Sequence, residues 1–477
     1  MKLYTLCLFG VVVFLPMLFS SCEEQYYYES DDPPVLQFSV DTLSFDTVFT
    51  TLGTITKQVK VYNQYNAPIL VPSVSLGGGR QSRFRINVDG DTSLVVKNVV
   101  IGAHDSIFIF VQANINPNLS TEPFLLEDSI CFNFDDHKAK IVLNAFGRNA
   151  VYHYPEQGRY YSIIDCDNWD HSRPHVIYGY AVVDSATTLR LYAGDEIYMA
   201  DQSSLWVYRE GSIIVEGSPS QPVLFTSVRR DGHYANLPGQ WNFIWISPGS
   251  FDNRIDWAIV ENGYVGLLVD SVVENRPTLR ITNTVVRNMS HAGILANGSY
   301  IKGDNLLVAN CKTASVALQR GGKYSMSNST FVNYWRYDAR KSPCVVLNNY
   351  KTDPYNANVI YPADLDQADF KNCIIFGNYA DTEIALVSTE QARFNVSFDH
   401  CLIKAQDSVL HCYDVRLRNV IFNDDPMFVN SSEGNFHLQY NSPARLAGDQ
   451  CWLLDIRDLD GDIRRLPPTI GAYEIKY

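Results

Sequence analysis

An all-β chain is predicted, an N-terminal antiparallel β-sandwich followed by a parallel β-helix, and three observations carry that reading. Residues 35–148 alternate apolar and polar side chains in short runs broken by turn residues, the period of half-buried strands. From Leu189 onward, apolar pairs such as Leu189-x-Leu191, Ile197-x-Met199, Leu205-x-Val207, Ile213-x-Val215 and Val223-x-Phe225 recur about every eight residues. Three such strands make a turn of about 24 residues, the size of one solenoid coil. Two asparagine columns then keep step: Asn283, Asn305 and Asn328 stand 22 and 23 residues apart, and Asn288, Asn310 and Asn333 repeat both spacings.

Composition bounds the reading. A chain of 477 residues suits two or three units, or one unit plus a quasi-one-dimensional array. With 46% hydrophobic and 19% charged residues it has the makeup of folded protein. Lys plus Arg number 38 against 52 Asp plus Glu, a net charge of -14 with no basic cluster along the sequence. That balance argues against nucleic acid and anionic headgroups as partners and suits a neutral ligand such as a glycan.

Residues 1–21 read as a secretory signal: Lys2, an apolar run from Leu3 to Phe19, then small residues before Cys22. The apolar run is too short to prefer being a permanent span. The stretch Leu18-Phe19-Ser20-Ser21-Cys22 resembles a bacterial lipoprotein signal, which implies cleavage before Cys22 and lipidation of that residue, a membrane anchor stable with two or three acyl chains. Glu23-Glu24 resembles the acidic export signal of Bacteroidetes surface lipoproteins, which implies the outer face of the outer membrane. Residues 22–34 are acidic, end in Pro33-Pro34, and read as a tether.

Within 35–148 the expected strands include Val59-x-Val61, Ile107-x-Ile109-x-Val111, Ile130-x-Phe132-x-Phe134 and Ile141-x-Leu143-x-Ala145. Gly53-Thr54-Ile55, Val59, Val61, Asn63 and Pro68, with the closing Leu143-Asn144-Ala145-Phe146-Gly147, resemble immunoglobulin-like domains of the ASPM, SPD-2 and hydin type. The resemblance implies a spacer or interaction module. Residues 149–187 are expected to be a linker and cap. They hold ligand types in Cys166, Asp167, Asp170, His171 and His175, but Pro174 forbids the helix that would align His171 with His175. Eight cysteines follow Cys22, at 131, 166, 311, 344, 373, 401, 412 and 451, with no Cys-x-x-Cys pair; mostly buried thiols are expected.

Residues 188–477 are assigned to the β-helix and its C-terminal cap. Stacked coils lie about 4.8 Å apart, so asparagine amides can bond up the stack as in cross-β ladders. Ile281, Val286, Leu306, Val308 and Phe331 are expected inside, and Gly263, Gly293 and Gly303 at corners needing positive φ. Cys373 and Cys401 fall at one position of consecutive coils, matching Thr284 and Ser329, and residues 351–367 break the spacing as a loop leaving one face. Leu205-Trp206-Val207, Pro222-Val223-Leu224-Phe225-Thr226, Gly239-Gln240-Trp241 and Pro248-Gly249-Ser250 resemble the right-handed parallel β-helix lipoproteins of Bacteroidetes, in the pectate-lyase-like superfamily. Asp425-Pro426-Met427-Phe428, Phe436-His437-Leu438, Ser442-Pro443-Ala444 and Ile470-Gly471-Ala472-Tyr473-Glu474 are similar to its closing signature; Arg445-Leu446-Ala447-Gly448 departs from the usual form of the capping run. The resemblance implies a right-handed solenoid of roughly ten coils, about 50 Å long.

Motifs for chemistry are sparse. Asp458-x-Asp460-Gly461-Asp462 invites calcium, but Ile463 stands where an EF-hand needs glycine and Thr469 where it needs glutamate, so a turn balanced by Arg464 and Arg465 is expected and no metal site. Glycoside hydrolysis needs converging carboxylates, and the doublets available are Asp424-Asp425, leading into the Pro426 turn, and Asp135-Asp136 in the sandwich. A lyase needs a basic proton acceptor, often with calcium. Arg287, His291, Lys302 and Lys312 are the candidates for one groove on neighbouring coils, and Trp241, Trp245, Tyr264 and Trp335 for sugar stacking, with Trp257 and Tyr334 beside them. The expected function is a lipid-anchored surface protein that binds a glycan or surface partner without catalysis. The alternative is a polysaccharide lyase or glycoside hydrolase on the same outer face. No cofactor is expected, save calcium for a lyase, and the chain is expected to be a monomer.

Overall fold

The computed structural model describes residues 27–28, 34–49, 56–115, 124–134, 137–230, 232–271, 275–356, 358–406 and 415–476. The signal, Cys22, Glu23-Glu24, Asp135-Asp136 and Cys412 lie outside the described residues. The chain forms two compact units, 1–149 and 150–477. Among the described residues no helix is long and apolar enough to cross a membrane.

The first unit is a two-layer β-sandwich. One sheet holds Gln37–Phe38, Lys57–Tyr62, Ser106–Ala113 and Phe84–Val88; the other holds Thr42–Phe49, Lys138–Arg148, Phe124–Asn133, Ile69–Leu76 and Val95–Ile101. Alternation works as read: Val59, Val61, Ile109 and Val111 from one sheet meet Ile130, Phe132, Ile141 and Leu143 from the other in one buried cluster. One pairing departs from the antiparallel expectation. Thr42–Phe49, the first strand of its sheet in the chain, runs parallel to Lys138–Arg148, the last.

The second unit is a three-sheet parallel β-helix. The coils between the two ends each place one strand in sheet 1, one in sheet 2 and one in sheet 3, in that chain order, and every neighbouring pair within these sheets is parallel. Sheet 1 runs from Val151–His153 to Ile421–Phe422, sheet 2 from Tyr161–Ile163 to Ile384–Val387, and sheet 3 from Thr188–Tyr192 to Arg416–Arg418. Eleven described strands in sheet 1 make ten intervals, about 48 Å at the usual strand spacing. Ile281, Val286, Leu306, Val308 and Phe331 all lie in the interior cluster, which extends from Ile164 to Ala405. Each such side chain contributes about 1.5 to 3 kcal/mol by burial. The loop at 351–367 opens as a hairpin, Tyr350–Thr352 pairing with Ile360–Pro362.

Parallel pairing starts earlier than residue 188. Val151–His153 already pairs with His175–Ile177, and Tyr161–Ile163 with Tyr180–Val183. The stretch expected as linker and cap thus supplies the first coil, and Ile164 and Trp169 close the end of the interior cluster.

Asparagines, not Gly263, Gly293 or Gly303, turn the corners on either side of sheet 1, while Gly298 and Gly321 have positive φ between sheets 2 and 3. Asn283, Asn305, Asn328 and Asn372 occupy the corner between sheets 3 and 1 with φ between +48° and +58°, a region asparagine tolerates better than most residues. The column also bonds along its length: Asn305 Nδ2 donates to Asn283 Oδ1 at 2.6 Å and Asn372 Nδ2 to Asn328 Oδ1 at 3.0 Å. Gly263, Gly293 and Gly303 do not have positive φ. They are needed for space, since a Cβ on Gly293 would fall 2.3 Å from Val308 Cγ1 and one on Gly303 would fall 2.6 Å from Met326 Sδ. Behind the corner, Thr284, Ser329, Cys373 and Cys401 form the small polar column, each donating to the carbonyl two residues back at 2.6, 2.5, 3.2 and 3.4 Å.

The closing segment lies along the outside of the coils instead of across their end. Phe428, Phe436, Leu438, Ala444, Ile470 and Ala472 pack on Leu307, Ala309, Val332, Ile374 and Leu402, the outward residues of sheet 1. Its backbone is docked on the asparagine column: Asn305, Asn328 and Asn372 amides donate to the carbonyls of Arg457, Trp452 and Asp449 at 3.5, 3.0 and 2.9 Å. Buried Arg464 donates to Asn305 Oδ1 at 2.7 Å. Outward apolar residues on sheet 1 leave the coil no other way to hide them.

Candidate functional site

The corner between sheets 1 and 2 gathers most of the candidate residues. Here a strand ends on an outward residue and an asparagine in the left-handed region turns the chain, Asn262 at φ +69°, Asn288 at +57° and Asn310 at +56°. Arg287 is the outward residue before Asn288, directly above Glu261 in the register. Glu261 is buried and accepts from Arg287 Nε at 3.0 Å, Arg287 Nη2 at 2.8 Å and Thr226 Oγ1 at 3.1 Å. Arg230 Nη2 lies 3.7 Å from the same carboxylate, so truncating Arg287 would remove its two shortest charged contacts and leave the more distant one.

His291 sits past the same corner, its ring stacked on Tyr264 at 5.0 Å and its Nδ1 3.0 Å from Thr313 Oγ1. Burial lowers its pKa, favouring neutral imidazole. One coil on, Lys312 Nζ lies 2.6 Å from Asp338, whose other oxygen accepts from Trp335 Nε1 at 2.7 Å. Lys302 is elsewhere. It lies on sheet 3, in register with Arg280, so the four basic candidates do not line one groove. It stands 15 residues after Arg287, about two thirds of a coil, which sets it two strands further on.

A cavity of about 160 Å³ opens at this corner, lined by Arg287, Asn288, Asn310, Tyr334 and Trp335 with Phe436 of the closing segment. Tyr334 packs on Phe436 at 6.0 Å, and burial raises its phenol well above the ordinary range. The walls are tied together: Arg336 Nη1 donates to Ser432 O at 3.3 Å and Tyr337 Oη to Asn236 O at 2.6 Å.

Two aromatic candidates are unavailable for sugar stacking. Trp241 is 1% exposed, under Gly263, with its indole N–H donating to Glu261 O at 3.0 Å. Trp335 is 6% exposed. Residue type alone does not distinguish an aromatic in the interior from one on the surface. Tyr264 remains half exposed beside His291.

Trp245 belongs to a different feature, the outer face of sheet 2. The register places Val182, Trp206, Trp245, Leu268, Leu295 and Ala317 on consecutive coils in one outward column. Trp206 and Trp245 stack at 4.9 Å, and Tyr180 and Phe243 flank them edge-on. Trp206, Trp245, Leu268 and Leu295 are each part exposed. A polar column, Asp270, Asn297 and Gln319, runs beside them; Asp270 accepts from Trp245 Nε1 at 2.9 Å and Asn297 Nδ2 at 2.7 Å. Trp206 was visible in the sequence: flanked by inward Leu205 and Val207, it had to point outward.

The carboxylates that could hold a cation are engaged. Asp458, Asp460 and Asp462 bring oxygens within 4.8 Å of one another. Asp458 Oδ1 accepts the N–H groups of Asp460 and Asp462, Asp460 meets His437 and Lys476, and Asp462 meets Lys476 at 2.7 Å. Hydrogen bonding from His437 holds Asp460 below its usual pKa, whereas burial raises Asp458. Asp424 and Asp425 are exposed in the turn before Phe428, with Asp425 Oδ1 accepting Met427 N–H at 2.8 Å.

The fold and these faces define a two-unit all-β protein whose second unit is a parallel solenoid with an aromatic outer strip. No family model and no curated protein matches the chain. Among solved structures it is similar to a family 123 glycoside hydrolase from Clostridium perfringens, described for glycolipid glycan hydrolysis, at 11% identity over 24% of this chain and 26% of that one, with a TM-score of 0.18. The chain thus spans about a quarter of that enzyme's length. It is also similar to the catalytic unit of a thermostable GH87 α-1,3-glucanase from Streptomyces thermodiastaticus, at 9% identity over 76% and 75%, with a TM-score of 0.26. At such TM-scores neither likeness informs the chemistry of this chain.

Proposed function

We propose that this chain is a lipid-anchored surface protein of the Bacteroidetes type that holds a glycan along the outer face of sheet 2 without transforming it. The observation that carries the reading is the part-exposed column of Trp206, Trp245, Leu268 and Leu295 beside the polar column of Asp270, Asn297 and Gln319. Sugar rings present an apolar face and a rim of hydroxyls, and an aromatic strip flanked by amides and a carboxylate matches both. Arg287 and Lys312, the basic side chains considered as proton acceptors, are paired with Glu261 and Asp338. The anchor rests on the residues around Cys22, and the first unit acts as a spacer of immunoglobulin-like type.

Affinity electrophoresis and calorimetry against a panel of neutral polysaccharides test the binding. Trp245→Ala and Trp206→Ala should each weaken it about tenfold, roughly the 1.4 kcal/mol typical of a well-placed aromatic contact. Unchanged affinity in both variants, or release of unsaturated or reducing ends from any polymer, would overturn the reading. Cys22→Ser should yield unlipidated protein in the soluble fraction.

A further inference from the structure

Sheet 3 carries a charge pattern hidden in the sequence. Arg254, Arg280 and Lys302 are 26 and 22 residues apart along the chain, yet the register sets them side by side on three consecutive coils, about 4.8 Å from one to the next. All three are exposed on the outer face. Among the described residues none of them has a carboxylate within ion-pair distance, in a chain of net charge -14. Lys302 lies 5.6 Å from the ring of Tyr300, and Lys323 one coil on is 5.9 Å from the same ring.

The neighbouring column on this face carries exposed Glu216 on the coil before and part-exposed Asp256 beside Arg254, then neutral Thr282 and buried Asp304. Its oxygens are partly taken, Asp256 Oδ1 by Thr282 Oγ1 and Asn283 Nδ2, Asp304 Oδ1 by Ser327 Oγ and Asn328 Nδ2. This arrangement selects by width. A broad anionic surface, such as a membrane or a duplex, would meet Glu216 and Asp256 as well as the cations. A single narrow chain with negative groups along one edge meets only the cations.

We propose that the column of Arg254, Arg280 and Lys302 binds a sulfated polysaccharide laid along the solenoid axis, one sulfate to each rung. Two of the three rungs are arginine, whose weakly hydrated planar guanidinium pairs with an oxyanion through two parallel N–H groups. Sulfate esters keep their charge at every physiological pH. The site is separate from the strip on sheet 2, and neutral polysaccharides test that strip independently.

The test uses the full chain with dextran sulfate as probe and unmodified dextran as reference, titrated from 0.05 to 0.3 M salt, ranges of about one Debye length's variation around physiological screening. Dextran sulfate should bind and dextran should not bind at this site. The triple variant R254Q/R280Q/K302Q should lose at least about tenfold in affinity, and the slope of log affinity against log salt should fall by about two, three contacts at roughly 0.7 each. A second triple variant, R209Q/R320Q/K351Q, removes the same charge from exposed positions elsewhere and should bind as the parent does. An equal loss in that variant would show net charge at work and sink the proposal. So would equal affinity for carboxymethyl dextran, polyphosphate or phosphatidylglycerol vesicles, or no binding of dextran sulfate. Circular dichroism of both variants confirms that the fold is retained.

Discussion

The first coil should make the solenoid acid-labile through two imidazoles. His175 is 2% exposed, stacked on Trp169 at 3.5 Å, and its Nε2–H donates to Asp170 O at 2.9 Å. Its Nδ1 then accepts from His153 Nε2–H at 2.8 Å, which requires His175 to be neutral, while burial favours the neutral form of His153. Burial lowers each pKa from 6.5 to about 4. Above about pH 6.5 neither state of the protein protonates them and they leave stability unchanged. Between 6.5 and 4 the unfolded chain takes up protons that the folded chain refuses, so stability falls as pH falls. At pH 5 the loss is about 2 kcal/mol for each ring by linkage. Asp304 works in the other direction, because burial raises its carboxyl to about 6 and the folded state binds that proton first; its gain at pH 5 is about 1.4 kcal/mol. Urea unfolding followed by tryptophan fluorescence at pH 7.5 and pH 5 should thus show a net loss of about 3 kcal/mol. His153→Gln should remove roughly half of the histidine contribution. A stability that is flat or rising from pH 7.5 to 5, or an unchanged pH dependence in the variant, would refute the neutral-pair geometry.

Two substitutions test the solenoid's construction. Gly293→Ala puts a methyl 2.3 Å from Val308 Cγ1 and 2.6 Å from Ser315 O, and thermal melts should show a loss of about 1 to 3 kcal/mol, the usual range for overpacking. Asn305→Ala forfeits a residue suited to φ +58°, its amide bond to Asn283 and its acceptance from Arg464. It should cost about 2 to 3 kcal/mol and loosen the closing segment first, seen as faster hydrogen exchange across 449–472. Asn305→Gly keeps the backbone conformation but not the bonds, so its loss should be smaller.

Features set by neighbours in sequence were legible, and features set by register were not. Leu189-x-Leu191 and its successors announce strands because the alternation is local, and the spacing of Asn283, Asn305 and Asn328 announces a coil because stacking copies one position onto the next. The identity of the corner residue was misassigned. Glycine's freedom suggested Gly263, Gly293 and Gly303, but those positions are short of room, and the asparagine column both turns the chain and bonds along the stack. At the site, Arg287, His291 and Lys312 share one corner and Lys302 does not, since its offset of 15 residues from Arg287 is about two thirds of a coil and not a whole one. The partners of Glu261 and Asp338 lie on other coils, so nothing local showed that Arg287 and Lys312 were already engaged.

The three outer faces differ by what each outward column carries, and that difference underlies the proposed binding face. Sheet 1 turns Leu307, Val332, Ile374 and Leu402 outward, and the closing segment buries them with Phe428, Phe436 and Ile470. Sheet 3 turns charges outward, which water solvates at small cost. Sheet 2 turns Trp206, Trp245, Leu268 and Leu295 outward, as apolar as the residues on sheet 1, yet these stay part exposed. A contiguous apolar strip on a soluble surface carries a standing risk of aggregation. The same chain covers an equivalent strip on sheet 1 with its closing segment, from Phe428 to Ile475, whereas the strip on sheet 2 stays part exposed, the contrast on which the proposed glycan face rests.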